Sequence, residues 1–384
     1  MRFSVDAHAI GQHLTGNETY VRNLLNSFAA LDHDADFVTY LSREDAFSEV
    51  PQRFLKRRVA VNPFVRLGFD LPRRLRQDRP HLLHVQYTAP VFCSTPIVVS
   101  VHDVSFLEHP DYFTPFRALQ LRCTVHRTVK SAARVITVSE FSKRRILSSY
   151  RLDEDKVVVL PNGVASAFRP MPREAAQRWV RTTFGLRSPF ILTVGDLEPR
   201  KNHVGLIRAF ESLVRAHPHL PHQLVIVGKE NWRASTVRAA AKRSSVADCI
   251  HFTGYVSDEG LLRLYGACDL FVYPSFYEGF GLPILEAMAC GRAVACSNTS
   301  AMPEVADSAA ILFDPNSDDE IVLALRDLLL NPELRQRMER LGMQRAATFS
   351  WESTAGKTLD LYYAVAGEAS GTPASALRTI SAGH

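Results

Sequence analysis

Short apolar runs alternate with stretches of helical periodicity along most of the chain, and this alternation constrains the fold more than any other feature of the sequence. A run too short to be a helix, then an amphipathic stretch, then another apolar run make a βαβ unit, whose strands lie parallel in one sheet. In the first half the strand candidates are Phe3–Val5, Phe37–Leu41, Leu82–Val85, Ile97–Val101, Val135–Val138 and Val157–Leu160. In the second half they are Phe190–Val194, Leu224–Val227, Ile250–Phe252, Leu270–Tyr273, Ala293–Cys296 and Ala310–Phe313. Between the first two strands, Glu18–Ala30 carries Val21, Leu24, Leu25 and Phe28 at helical spacing.

The chain has 384 residues, and at roughly 150 residues per domain this suggests two α/β domains, each with its own core. They meet in the Pro- and Gly-rich stretch Pro161–Pro172, which lacks periodicity and reads as a linker. We therefore expect one domain over 1–170 and a second over 171–349. A closing helix at about 350–366 is expected to pack back on the first domain, and the Ala/Ser/Gly-rich residues 367–384 are expected to form a disordered tail.

A formal charge of +5 is modest for this length and demands no nucleic-acid partner. The six cysteines form no C-x-x-C pair, several sit in apolar runs, and together they suggest free thiols in a reducing compartment. The N-terminus opens with a strand pattern rather than an apolar leader, and no stretch approaches a membrane span, so a cytoplasmic protein is expected.

The segment from Phe271 to Asn298 is the most informative in the chain. A strand runs into the loop Y-E-G-F-G, and the short helix L-P-I-L-E-A-M-A-C follows, with Pro283 suited to its first turn and Gly291 to the position just past its end. Free N–H groups at the start of such a helix form an anion site. Glu278 on the loop and Glu286 one turn into the helix flank it, an arrangement that makes sense if each carboxylate receives sugar hydroxyls. The motif E-P-R-K-N follows the strand F-I-L-T-V and places Arg200 and Lys201 at a strand's carboxyl end, where open α/β sheets bind ligands. Their charges would neutralise a leaving nucleoside diphosphate.

E-G-F-G-L-P-I-L-E resembles the E-x7-E signature of the retaining glycosyltransferases of family 4, and the resemblance, dense over Gly195–Pro315, extends from about Thr15 to Phe349. It implies the GT-B fold: two Rossmann-like domains with parallel sheets facing across a cleft. On that reading Glu278 contacts the donor sugar, Glu286 the ribose, and backbone N–H groups at Phe280, Gly281 and Leu282 the diphosphate or sugar. Arg200 and Lys201 hold the diphosphate, and Tyr255 and Val256 border the base. Some members carry an arginine directly after the strand's glycine, where this chain has Asp196.

In the first half, Gly16 can let the backbone approach the donor phosphate. His102 and Asp103 leave an apolar strand where a cleft should open: His102 can hold acceptor or donor sugar, and Asp103 can orient it or receive an acceptor hydroxyl. The H-D-x-S-F form resembles bacterial mannosyltransferases and points to GDP-mannose. Residues 53–79 hold nine Lys/Arg against two acids, with apolar residues interleaved. This segment is either a solvated stretch with its apolar side in the core or a contact for an anionic membrane, broken in either case at Pro63 and Pro72.

The resemblance further implies a metal-independent, retaining transfer from a nucleotide-sugar donor to a glycan, lipid-linked or small-molecule acceptor, with no cofactor. A catalytically silent nucleotide-sugar-binding subunit, or an epimerase or phosphorylase on the same fold, are the alternatives.

Overall fold

The computed structural model describes residues 1–370 apart from 13, 14, 33, 188 and 232. The chain divides into two compact units: Met1–Gly163 together with the segment that begins at Ser350, and Val164–Phe349.

The first unit holds a seven-stranded sheet in the order β3-β2-β1-β4-β5-β6-β7. The strands are β1 Arg2–Asp6, β2 Asp36–Leu41, β3 Leu55–Arg58, β4 Leu82–Gln86, β5 Ile97–Ser100, β6 Arg134–Thr137 and β7 Val157–Val159. Every pairing is parallel. Alternate side chains enter opposite cores, as a pleated strand requires. Phe3, Val5 and Phe37 pack with the helices Thr15–Leu31 and Trp351–Ser370, whereas Val38, Tyr40, Leu83 and Val99 pack with residues of Leu71–Asp78, Pro115–Ser131 and Glu140–Tyr150.

β3 lies outside the strands expected from the sequence. Its residues, Leu-Lys-Arg-Arg, show no apolar alternation because β3 is the sheet's edge, where charge discourages further pairing. The basic stretch 53–79 is thus not one amphipathic element. After β3, Asn62 caps a short turn of helix at Phe64 and Val65, a π-helical turn follows over Arg66–Asp70, and Leu71–Asp78 is helical with Leu71 and Leu75 buried.

The second unit repeats the architecture in six strands, β10-β9-β8-β11-β12-β13, again all parallel. They are β8 Phe190–Val194, β9 Gln223–Val227, β10 Ile250–Gly254, β11 Leu270–Tyr273, β12 Ala293–Ser297 and β13 Ile311–Phe313. In both sheets the order reverses direction once, between β1 and β4 and between β8 and β11. At such a switch point the loops leave to opposite faces and open a crevice at the strands' carboxyl ends.

The units change over at Gly163–Val164, ahead of the boundary read from the proline-rich stretch. The reason is packing: Phe168 lies edge-on to Tyr265, and Met171 fills the space beside Gly266, so residues after 163 already belong to the second core. The closing helix extends to Ser370, beyond the residue 366 expected for its end. Trp351, Ala355, Leu359, Tyr362, Val365 and Ala366 recur at helical spacing and join the first unit's core, and Arg134 pairs with Glu368 at 2.9 Å. The rest of the expected tail, 371–384, lies outside the described residues.

The chain leaves and re-enters the first unit at one tight contact. A Cβ on Gly163 would stand 2.1 Å from the amide nitrogen of Trp351, so only glycine fits there. Gly163→Ala is expected to destabilise the first unit by about 1–3 kcal/mol, the range for overpacking. Denaturant unfolding followed by fluorescence, with Trp179 and Trp232 replaced by Phe so that Trp351 alone reports, tests this; an unchanged midpoint would show that the close approach is not needed.

Candidate active site

The switch point of the second sheet gathers the charged residues singled out in the sequence. β8 ends at Val194 and β11 at Tyr273, and the two loops that leave their carboxyl ends carry Arg200 with Lys201 and Glu278. Arg200 and Lys201 occupy a 3-10 turn, Pro199–Lys201, ahead of the helix His203–Ala216 rather than its first turn. Asn202 takes a left-handed conformation, accepts the N–H of Gly205 and donates to the carbonyl of Pro315, which fixes the turn against the sheet.

Glu278 receives both cations. Arg200 donates to its Oε2 at 2.9 Å and Lys201 Nζ to its Oε1 at 2.7 Å. Arg200 also bonds the carbonyl of Tyr277 at 3.0 Å and the carboxylate of Glu198 at 2.8 and 3.1 Å. Lys201 donates to the Tyr273 hydroxyl at 2.8 Å. Burial alone would raise the Glu278 carboxyl, but Arg200 and Lys201 overcome it and hold the group at about 2. Burial works against the Lys201 charge too; Glu278 and Tyr273 outweigh it and lift the ammonium above its ordinary value. The Tyr273 phenol is pushed up to about 12, first by burial and then by Glu278, so it stays protonated.

Several neighbours support this cluster. Gly195 leaves room for Lys201, whose side-chain carbons would lie 3.0–3.1 Å from an added Cβ. Asp196 accepts the backbone N–H of Lys229 at 3.0 Å, so the residue standing where some members have arginine ties one loop to the next. Ser300, at φ 55°, accepts the Glu278 N–H at 2.9 Å. Gly281 sits at φ 104°, a left-handed conformation that favours glycine, and opens the helix Leu282–Ala289. Phe280 is buried against Phe349, and Leu282 is half-buried.

Glu286 behaves differently. It is buried, accepts a hydrogen bond from Tyr265 Oη at 3.0 Å, and forms no ion pair among the described residues. Burial pushes its carboxyl up to about 7, the Tyr265 bond only partly opposing this and Asp258 adding to it. Tyr255 is exposed with Lys229 over its ring at 5.0 Å, and Val256 packs close to Gly260. Ser257 caps the helix Asp258–Ala267.

In the first unit, His102 follows β5 and Gln86 ends β4, beside the β1–β4 switch point. Tyr20 and Tyr87 pack edge-on to the His102 ring at 4.7 and 5.8 Å. Burial lowers the imidazole to about 4, with Asp103 pulling weakly the other way, so His102 is neutral at physiological pH. The expectation that Asp103 orients His102 is not met. Asp103 Oδ1 accepts both the N–H and the hydroxyl of Ser105, at 2.8 and 2.6 Å, and so shapes the turn. The ring's hydrogen-bond partner is Gln86. Gly16 lies within the first turn of the helix Thr15–Leu31, with open space where a Cβ would point.

Sequence reading missed Tyr273, Tyr265, Glu198, Ser300 and Gln86. Tyr273 and Tyr265 sit in apolar runs where an aromatic reads as core, and their hydroxyls matter only once their partners arrive from elsewhere in the fold. Glu198, two residues before Arg200 in E-P-R-K-N, was the one within reach of local reasoning.

The raised Glu286 carboxyl links stability to pH. Its folded value, about 7, lies above the ordinary 4.5. The folded state therefore binds the extra proton, and the benefit present below 4.5 is lost as pH rises through 7. Glu286→Gln should gain stability relative to the parent between pH 4.5 and 8, by on the order of 3 kcal/mol. Melting curves for both proteins at pH 5 and 8 measure it, and a pH-independent difference would contradict the assignment.

Comparison with known proteins agrees with this architecture. The model described as "Glycosyltransferase Family 4" matches residues 14–168, and "Glycosyl transferases group 1" matches 180–345. The chain is 34% identical over 266 residues to O-antigen chain mannosyltransferase B of Escherichia coli, 69% of each protein. It is 31% identical over 244 residues to a D-inositol 3-phosphate glycosyltransferase of Segniliparus rotundus, covering 62% of this chain but 53% of the relative. Among solved structures, the lipopolysaccharide-biosynthesis glycosyltransferase WaaG superposes with a TM-score of 0.74 at 18% identity, covering 94% of this chain and 98% of that one. Anabaena Alr3699/HepE, solved with UDP and glucose, superposes at 0.75 and 16% identity, with the same coverage. The chain belongs to the group 1, family 4 glycosyltransferases and has their GT-B fold.

Proposed function

We propose that this glycosyltransferase moves a hexose, mannose from GDP-mannose, to a glycan or lipid-linked acceptor with retention of anomeric configuration and without a metal ion. The observation that carries the reading is the pairing of Arg200 and Lys201 with the buried Glu278 at the switch point of the second sheet. Mannose is supported by the H-D-x-S-F form and by the likeness to a mannosyltransferase that bears that name.

Two cations, Arg200 and Lys201, stand against two carboxylates, Glu198 and Glu278. A diphosphate that takes both cations frees Glu278 to accept hydroxyl hydrogens from the donor sugar. Held at about 2, Glu278 is an acceptor at any physiological pH. Backbone N–H groups at Phe280–Leu282 meet the diphosphate or sugar. Glu286 accepts the ribose hydroxyls, Tyr255 and Val256 border the base, and Gly16 leaves the first unit's backbone open to the phosphate. His102 bonds a sugar hydroxyl.

Transfer then proceeds on one face. The acceptor oxygen bonds to the anomeric carbon as the bond from that carbon to the phosphate oxygen breaks. The acceptor's hydroxyl proton passes to the departing phosphate oxygen. Arg200 and Lys201 stabilise the charge that develops there, a role that a metal ion fills in other transferases.

A lipid-linked acceptor is favoured by the exposed Phe64, Phe69 and Phe92 in the same unit as the exposed Arg73, Arg76 and Arg79. Among the described residues no helix is long and apolar enough to cross a membrane, so the contact would be at the surface.

Lys201→Ala and Arg200→Ala should each lower transfer by about 100-fold or more with the fold intact, and thermal-shift titration should rank GDP above UDP and ADP. Full activity in purified Lys201→Ala would end the diphosphate assignment; preference for UDP would end the GDP-mannose reading alone. Phe64→Ser with Phe69→Ser should abolish co-sedimentation with vesicles containing anionic lipid while leaving GDP binding unchanged. Undiminished sedimentation would remove the surface contact.

A further inference from the structure

At the switch point of the first sheet, Gln86 is bonded at both ends of its amide, and its partners fix its orientation. It is buried, 6% exposed, at the end of β4. Its Nε2 lies 3.2 Å from the main-chain carbonyl oxygen of Asn17, in the first turn of the helix Thr15–Leu31. A carbonyl oxygen can only accept, so the amide nitrogen must face it. The Gln86 Oε1 then faces the other way and lies 3.2 Å from His102 Nε2. This oxygen also can only accept, so Nε2 of the neutral imidazole must carry the proton.

We infer that Gln86 is a positioning residue that locks His102 in its Nε2–H tautomer and so presents Nδ1 as a lone-pair acceptor for a sugar hydroxyl. The role of Nδ1 rests on the proposed function; the tautomer does not. Among the described residues Nδ1 has no hydrogen-bond partner. Tyr20 and Tyr87 close on the ring edge-on, and Ser142 Oγ donates to the His102 main-chain carbonyl at 2.8 Å, which fixes the backbone that carries the ring. Tyr87 reaches its position through a left-handed backbone conformation, φ 59°, unusual outside glycine and asparagine, directly after Gln86. The other groups that face this site are turned elsewhere. Tyr20 bonds Ser100, His84 bonds Ser100 and Tyr362, and Asp103 Oδ1 is taken by Ser105. Among the described residues no carboxylate is hydrogen-bonded to the ring to hold a second proton, so the site reads the sugar as a hydrogen donor, not as an acceptor.

The test separates the two parts. Long-range 1H–15N correlation spectra of the full chain, with the His102 signals assigned by their loss in His102→Gln, report which ring nitrogen bears the proton. The parent should show Nε2 protonated and Nδ1 bare near neutral pH. Gln86→Leu should give a tautomer mixture and lower kcat/KM about 10- to 100-fold, the loss expected for one misplaced hydrogen bond. Gln86→Glu still offers an acceptor to Nε2–H, so it should keep the tautomer signature, raise the imidazole pKa, and move the acid limb of the pH–rate profile upward. A parent spectrum with the proton on Nδ1, or a Gln86→Leu spectrum unchanged from the parent, would overturn the assignment of Gln86. A changed tautomer with unchanged transfer would overturn the sugar contact at Nδ1 and leave the tautomer lock standing.

Discussion

One buried carboxylate shared by two partly buried cations organises the second unit. Ions taken out of water are tolerated only when paired and hydrogen-bonded. Glu278 meets that demand for Arg200 and Lys201 together, with Glu198 and the Tyr273 hydroxyl completing the set. The constraint reaches past the site. It requires the loops after β8 and β11 to meet, which holds only if those strands are neighbours, and it calls for glycine at 195 beside Lys201 and a brace at Ser300 behind Glu278.

On the proposed function, the pairing within this cluster makes ligand binding an exchange. A phosphate arriving at two unpaired cations would gain binding energy but leave the acidic side chains unchanged. With Arg200 and Lys201 already paired to Glu278, a diphosphate that took both cations would free Glu278 to bond sugar hydroxyls, and the proposed recognition of phosphate and sugar would be coupled through one side chain. Glu286 complements this by burial without a cation, which puts its carboxyl near 7 and makes its bonding sensitive to pH.

The two units use a common topology for different chemistry. In each, the sheet reverses once, and polar side chains collect at the carboxyl ends of the strands on either side of the reversal. The second unit places full charges there. The first places a neutral histidine held by an amide and two aromatic edges, a group that can direct a hydrogen bond without contributing charge.

The sequence by itself determined the two parallel-sheet units, the loops that bear Arg200, Lys201 and Glu278, and the short helix that bears Glu286. Those features are local: apolar periodicity, and glycine and proline around a helix start, are legible within a few residues. It also located the closing helix, though not its end. What it left open was every relation set by which strands lie side by side. The edge strand β3 carries no apolar signal because it pairs on one side only and is no more than half-buried. Asp103 reads as the partner of His102 by adjacency, yet the ring is held by Gln86, sixteen residues away in sequence. Tyr273 and Tyr265 read as core until the fold brings Lys201 and Glu286 to their hydroxyls. Only tertiary structure decided these, because strand order brings together side chains that no local pattern connects.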